Sequence, residues 1–356
     1  MRITTHKDSS GIALIIVLVV IVALGILAGG FAYTMKVETK LARNASFDVE
    51  MEWAARSGIE LAKYVLGQGS MGPQGQVDSL NQKWAGGIGS TNDPLGDLPM
   101  TGIKLGNCTI SVKIEDNDRK FNINVADEFI LRNALTLIGV DASESSTIID
   151  SILDWRDPDE DPHSSGTESD TYEGFNPPYF AKNGPIDDLT ELLLVRGVTP
   201  ALYWGSGAAG HAAVLNRPMG SQSHFEEPVY VIGLKDVFTP ISSKAVNINT
   251  TTATVLQILS PLMDENVAHA IIQARTGPDG TDGTDDDMPF RSPQDIARVP
   301  GVPPDVLQQA SRYFTVRSLI FNVTVDVEAP SIKRTYTAVL RRNSPRDVQV
   351  LNMNWH

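Results

Sequence analysis

From Ile12 to Tyr33 the chain runs for 22 residues without a charge, IALIIVLVVIVALGILAGGFAY. A helix rises about 1.5 Å per residue, so such a run is long enough to cross a hydrocarbon core of about 30 Å. A short polar leader holding Arg2 and Lys7 precedes it. The excess of positive charge predicts that this leader stays in the cytoplasm and that everything after Tyr33 lies across the membrane. The run exceeds the apolar core of a secretory signal, and no A-x-A cleavage pattern follows it. Beyond Lys36 the apolar residues continue at helical spacing: Val37, Leu41 and Ala45, then Met51, Ala54, Gly58, Ala62 and Val65. This one-sided stripe predicts one helix from about Ile12 to Leu66, stopped by Gly67 and Gly69. Its first half is apolar all round. Its second half needs a body to pack on.

Charge limits what that body can do. Lys and Arg number 29 against 43 Asp and Glu, a net charge of −14. A chain this acidic lacks the cations that displace counterions from phosphates, which argues against sequence-independent nucleic-acid binding. Cys108 is the single cysteine, and none of the six histidines has a close His partner at metal-ligand spacing. An intrachain disulfide, a multi-cysteine zinc site and an iron–sulfur cluster are therefore excluded within one chain. The G-x-S-x-G, H-E-x-x-H and Walker A patterns are absent. Gly205-Ser-Gly207 stands alone in an irregular stretch, and the sequence reads as non-enzymatic.

The body repeats itself. After a Gly-rich loop through Gly102, Asn107–Glu115 alternates apolar and polar residues and reads as a strand. Phe121-Asn-Ile-Asn124 then opens two helical stretches, to Ile138 and to Trp155. Val246-Asn-Ile-Asn249 opens two more, Thr252–Leu259 and Glu265–Ala274. Ile186–Val198 matches Arg291–Val302 as a third helix ending in Gly-Val. The Asn-Ile-Asn sites lie 125 residues apart and the Gly-Val sites 104. The order predicts an internal duplication in which the first copy carries the longer acidic loop. From Leu319 the pattern returns to period two, through Val327, Ile332–Leu340 and Val348–Met353, as expected of antiparallel strands.

The first acidic loop holds eight carboxylates between Asp154 and Glu173, with Arg156 the only base. Asp157, Asp159 and Asp161 alternate as at the start of an EF-hand loop. Gly166 permits a return that brings back Glu168, Asp170 and Glu173. Two readings stand side by side: a calcium site, and a solvated acidic face. His163 within it reads as a surface residue. The corresponding loop of the second copy, Pro278–Asp287, repeats Gly-Thr-Asp and reads as a solvated hairpin, with calcium as the alternative.

Two sets of motifs carry a resemblance. Ser10-Gly11-Ile12-Ala13-Leu14-Ile15-Ile16-Val17 resembles the leader junction of type IV pilins and pseudopilins. That class implies cleavage after Gly11 by a prepilin peptidase and N-methylation of Ile12. Most members carry a glutamate five residues after the cut, where this chain has Ile16. The departure resembles the minor pseudopilin K family of type II secretion systems. A buried carboxylate needs a positive partner, which in the class is the N-terminal amine of the subunit ahead. A subunit without that carboxylate suits a filament tip. The second set is Asp154-Trp155, Asp157, Asp159, Gly166, Glu168, Tyr172, Pro178-Tyr179 and Asn183, similar to a recurrent pattern of the K subunit. The resemblance implies calcium in this region, held among Asp157, Asp159, Asp161, Glu168, Asp170 and Glu173.

The fold class so implied is α+β. A long N-terminal helix carries a small antiparallel pseudopilin head, interrupted by a helical insertion of two helix-hairpin-helix-like repeats. The expected division is a leader at 1–11 and a helix at 12–66, with its membrane part at 12–35. The head follows at 67–120, then an inserted domain at 121–315 with repeats at about 121–200 and 246–310, and closing strands at 316–356. The family further implies an inner-membrane protein with a single span and a periplasmic body. Its implied partners are minor pseudopilins I and J, the pseudopilus, and secreted cargo or the outer-membrane secretin. The helix-hairpin-helix likeness leaves a competing reading, a membrane-anchored DNA-binding protein of a competence or type IV pilus system. Gly139-Val140-Asp141, Gly197-Val198-Thr199 and Gly301-Val302-Pro303 lack the second glycine that brings backbone amides onto a phosphate.

Overall fold

The apolar run is the first half of one helix. The computed structural model describes residues 10–71, 76–87, 95–205, 229–330 and 332–355. In it α1 spans Ser10–Gly69, 60 residues, or about 90 Å at 1.5 Å per residue. The apolar half stands clear of the body, with Leu14, Ile16, Phe31 and Tyr33 all exposed. It is the one described helix long and apolar enough to cross a membrane. The second half buries Met51, Ala54, Ala55, Ile59, Ala62, Val65 and Leu66. The start of the expected stripe does not pack, since Val37, Leu41 and Ala45 stay exposed. Burial begins only near Phe47, where the sheet's apolar cluster meets the helix.

The glycines expected to stop the helix lie within it. Gly67 serves a close approach instead. A Cβ there would stand 2.6 Å from the Pro345 carbonyl oxygen. Gly58 does the same further down, where a Cβ would meet Val325 at 2.7 Å.

The sheet under α1 has five antiparallel strands: β1 (Ile103–Leu105), β2 (Cys108–Asp116), β7 (Ile320–Ala329), β8 (Ile332–Ser344) and β9 (Asp347–Trp355). They lie in the order β1-β2-β7-β8-β9. Thus β2 pairs directly with β7, Asp116 opposite Phe321. The chain leaves the sheet at Asp116 and re-enters beside its point of departure. Everything between is an insertion with its own apolar cluster, separate from the one between α1 and the sheet.

Within the insertion the same contacts occur twice. β3 (Phe121–Asn122) pairs in parallel with β4 (Phe238–Thr239), and β5 (Val246–Asn247) with β6 (Phe314–Thr315). Each half opens on an Asn-containing strand and closes on Phe-Thr. The side chains of Asn122 and Asn247 accept from the amides of Asn124 and Asn249. Asn124 exchanges two hydrogen bonds with the backbone of Ile186, and Asn249 two with that of Phe290. Each first helix starts on a capping side chain. Asp127 caps α2 (Glu128–Ile138), and Thr252 caps Ala253–Ile258. The second helices are α3 (Ala142–Arg156) and Glu265–Arg275, each ending on an arginine. Arg156 donates to the carbonyls of Ile123 and Ala126, and Arg275 to those of Ile248 and Thr251.

The third element of each half departs from expectation. Leu189–Leu194 and Pro293–Arg298 are 3₁₀ helices of six residues, not α-helices. Each begins at a capping box, Asp188 with Glu191 and Ser292 with Asp295. Gly197 and Gly301 follow three residues later at φ 85° and 88°. Left-handed glycines so close behind leave no room for a second α-turn.

Candidate metal centre

The first acidic loop runs from the end of α3 across α4 (Ser169–Tyr172) to Asn183. It is founded on Asp154, in the last turn of α3 and fully buried. One Asp154 carboxylate oxygen accepts the backbone N–H of His163 at 3.0 Å and lies against the His163 imidazole. The other accepts the Thr167 amide. One turn earlier, Asp150 accepts the Ser165 amide at 2.9 Å. Gly166 sits over Asp154 so closely that a Cβ would fall 1.8 Å from Oδ2. The glycine is required here by space, since its φ is not left-handed.

Around this anchor are oxygens with nothing to bind. Glu168 is 6% exposed, and neither of its carboxylate oxygens has a hydrogen-bond partner. Asp157 Oδ1 and Asn183 Oδ1 are likewise buried and unpartnered. Among the described residues the one other buried side-chain oxygen in that condition is Asp48 Oδ1, and it is ion-paired with Arg334 at 2.8 Å. Asn183, at φ 48°, instead spends its amide on the Asp159 carbonyl at 2.9 Å and on Glu160 at 2.8 Å. Its carbonyl oxygen is left turned to no donor.

The electrostatics follow. Burial pushes the Glu168 carboxyl up to about 7, helped by the charges of Asp154, Asp157, Glu160 and Asp159. Asp157 is raised by burial and then by Asp159 and Asp154. The hydrogen bond to Asp154 holds the His163 imidazole above its usual range. Asp154, Asp157 and His163 each present a ligand atom within 4.8 Å of the others. Buried oxygens without donors, in a pocket of carboxylates that resist ionisation, fit a hard divalent cation with oxygen ligands.

Of the residues expected to bind metal, Asp157 and Glu168 face this centre and Asp159 acts on it electrostatically, as does Glu160 from outside that set. Asp161, Asp170 and Glu173 are exposed. Asp161 gives its amide to Asp159 at 3.0 Å, so the alternating aspartates form a local turn there. His163, read as a surface residue, has a half-exposed ring yet is tied to Asp154. Asp154 and Asn183 were absent from the expected ligand set. The signal for Asp154 is its position three residues before Asp157 at a helix end, where i and i+3 share a face.

Trp155, Tyr172, Phe175 and Tyr179 close the loop from behind, with Trp155 and Tyr172 edge-to-face at 5.4 Å. Gly11 and Ile12 lie in the first turns of α1. The leader before Ser10 lies outside the described residues, as do Ser206 and Gly207 of the Gly-Ser-Gly stretch.

The second acidic loop has a different character. Asp282 is paired with Arg275 at 2.9 Å. Asp286 accepts the Asp279 amide and the Thr284 hydroxyl, and Asp287 accepts the Gly283 amide at 2.8 Å.

The architecture is a long helix laid on an antiparallel sheet, split by a duplicated helical insertion that carries the carboxylate centre. Two family models, both described as type II secretion system protein K, match residues 112–204 and 246–317. Over these two segments the chain carries the type II secretion system protein K family. It is 29% identical over 206 residues to protein K of Aeromonas hydrophila, covering 55% of this chain and 61% of that one. With the Pseudomonas aeruginosa protein K it shares 28% identity over 207 residues, covering 54% and 58%. The matches thus span about three-fifths of these relatives' length. A chain in the crystal structure of the GspK-GspI-GspJ complex of enterotoxigenic Escherichia coli has the same fold. Its TM-score is 0.63 at 18% identity, over 88% of this chain and 99% of that chain.

Proposed function

We propose that this protein is the minor pseudopilin at the tip of a type II secretion pseudopilus, where it starts assembly together with minor pseudopilins I and J. It is a structural subunit and not an enzyme. The observation that carries this reading is the pairing of β2 with β7 around the insertion, on a helix whose fifth residue after Gly11 is Ile16. The insertion puts a second body beside the sheet, which a filament end accommodates and a packed shaft does not. The apolar half of the helix, Ile12 to Tyr33, offers no carboxylate to a subunit above it. Partners I and J come from the likeness to the GspK-GspI-GspJ structure. The apolar half of α1 anchors the chain in the inner membrane, and the body lies in the periplasm, within reach of secreted cargo or the secretin. Cleavage after Gly11 and methylation of Ile12 follow from the same reading.

Calcium completes the first acidic loop. Asp154, Asp157, Glu168 and the Asn183 carbonyl form its core, with Asp159 and Glu160 alongside. Bound there, the ion would supply the positive charge that the unpartnered oxygens lack. Its effect is structural, tying the end of α3 to the segment 167–183.

Two measurements test this. Ile16→Glu is expected to leave pseudopilus number unchanged or lowered, because an unpaired carboxylate among apolar helices costs several kcal/mol, roughly 3–5. More pseudopili than in the wild type contradicts the tip position. In melting curves, millimolar Ca²⁺ is expected to raise Tm above the EGTA value by mass action. Asp159→Ala/Glu168→Ala is expected to abolish that rise. An equal shift in the double variant sinks the calcium assignment and leaves the tip assignment standing.

A further inference from the structure

The sheet and the insertion meet at a seam of buried charge. Asp116 ends β2, and Asp118 sits in the 3₁₀ turn Asn117–Arg119 that leads into the insertion. Asp78 comes from the segment after α1, and Arg342 from β8. Their relative exposures are 3%, 0%, 3% and 3%. Ser318 lies on the chain returning to the sheet, and Asn247 and Thr250 belong to the second repeat. Both chain connections between sheet and insertion, at Asp116–Asp118 and at Ser318–Ile320, therefore bond to this set.

The bonding is dense and its charge does not balance. Asp116 Oδ1 accepts the Asp118 amide at 2.8 Å, while Oδ2 accepts the hydroxyls of Thr250 and Ser318 and the Asn247 amide group. Asp118, at the insertion's entry, accepts the amides of Leu319 and Ile320 at its exit and that of Ser243 on the link between the repeats. Asp78 accepts the Ser318 amide at 2.8 Å and pairs with Arg342. Arg342 also donates to the carbonyls of Ser318 and Leu66. Three buried carboxylates thus share one guanidinium. The other charged groups that line with Asp116 a cavity of about 490 Å³ are Glu115, Arg119 and Lys120 from its own segment and Lys235 and Asp236 from across it. Lys120 donates to the Lys235 carbonyl at 2.7 Å.

We propose that this seam is a proton-held joint: a proton on Asp116 halves the excess negative charge that Asp78, Asp116 and Asp118 hold over Arg342, and its loss loosens the insertion from the sheet. The carboxyl–hydroxyl contacts give the proton a place, because Thr250 and Ser318 can accept as well as donate. The cavity beside Asp116 gives it a path to solvent. Burial first, then the Asp118 charge, lifts the Asp116 carboxyl to about 7, against the donors Ser318 and Thr250. Burial raises Asp118 also. An opened joint returns Asp116 to about 3.9. The closed form therefore binds the extra proton, and its advantage is complete below about pH 4 and lost as pH rises to about 7. The joint is independent of the calcium site and of the proposed tip position.

The test is hydrogen exchange on the full-length chain in detergent micelles with excess calcium, corrected for the intrinsic pH dependence of amide exchange. Between pH 5 and pH 7 the segments 116–120, 243–250 and 316–320 are expected to open about a hundredfold more often, levelling off above pH 7. Residues 323–339 of the sheet should change far less. Asp116→Asn should remove the pH dependence at the seam alone. Equal seam protection across this range in the wild type, or an unaltered dependence in Asp116→Asn, overturns the proposal. If that variant does not fold, Ser318→Ala provides the second test. It deletes a donor to the ionised form and should extend the loss above pH 7, and a wild-type profile there overturns the joint equally.

Discussion

The two acidic loops occupy corresponding places in the two halves of the insertion, and they are completed in opposite ways. In the second loop the chain answers its own carboxylates except the exposed Asp285: Arg275 answers Asp282, and amides and hydroxyls answer Asp279, Asp286 and Asp287. Asp286 accordingly sits below the usual carboxylate range, held by the Thr284 hydroxyl and the Asp279 amide, although burial raises Asp287. In the first loop Arg156 turns away to backbone carbonyls, and Glu168, Asp157 and Asn183 keep oxygens that nothing in the chain answers. Acidic composition is therefore no guide to cation binding. The discriminating quantity is which acceptors remain after the protein's own donors are assigned.

The strongest test of this contrast is the pair of arginines. Arg275→Met strands Asp282 and two carbonyls, and is expected to cost about 3–5 kcal/mol in chemical denaturation. Arg156→Met loses backbone hydrogen bonds without stranding a paired carboxylate, and is expected to cost about 1–3 kcal/mol. Equal costs would mean that the second loop's ion pair contributes nothing. A smaller effect comes from the glycines. Gly166→Ala is expected to destabilise by about 1–3 kcal/mol through overpacking on Asp154 and to eliminate the calcium-dependent rise in Tm. Gly280→Ala in the second loop, at φ 69° with its nearest neighbour 3.4 Å away, should cost about 1–2 kcal/mol for the left-handed backbone and keep the full rise. Loss of the rise in both variants would erase the distinction between the loops.

The smallest effect is the pH dependence of calcium affinity. Glu168, raised to about 7, holds a proton in the calcium-free folded state. Stability from that proton is present below the carboxyl's ordinary value and fades as pH rises through about 7, where calcium takes over. Calcium affinity, read by titration calorimetry, should weaken by up to about tenfold per pH unit below 7. Glu168→Gln should bind more weakly and flatten the profile. A flat profile in the wild type would remove Glu168 from the centre.

Legibility tracked locality. The long helix and the strands were readable because each depends on neighbours a few residues away, whereas the caps at Asp127 and Thr252 were not read from the sequence. The 125-residue spacing of the Asn-Ile-Asn sites pointed to equivalent roles, and the hydrogen bonds of Asn124 and Asn249 show those roles in atoms. The 3₁₀ character of Leu189–Leu194 was hidden, because its apolar periodicity over six residues does not separate one helix type from another. Asp154 was visible as a carboxylate but not as the loop's anchor, since its partners His163 and Thr167 return to it only through the turn at Gly166.

By itself the sequence determined that an apolar helix precedes an acidic, duplicated body with antiparallel strands at its end. Spacing and charge dictate those features with no knowledge of what lies across from them. Only the tertiary structure decided that β2 and β7 are neighbours, that one acidic loop is self-sufficient and the other is not, and that Asp116 meets Ser318 across 202 residues of chain. The reason is physical. A buried polar group's state depends on which donors reach it, and those donors come from segments whose approach no local pattern encodes.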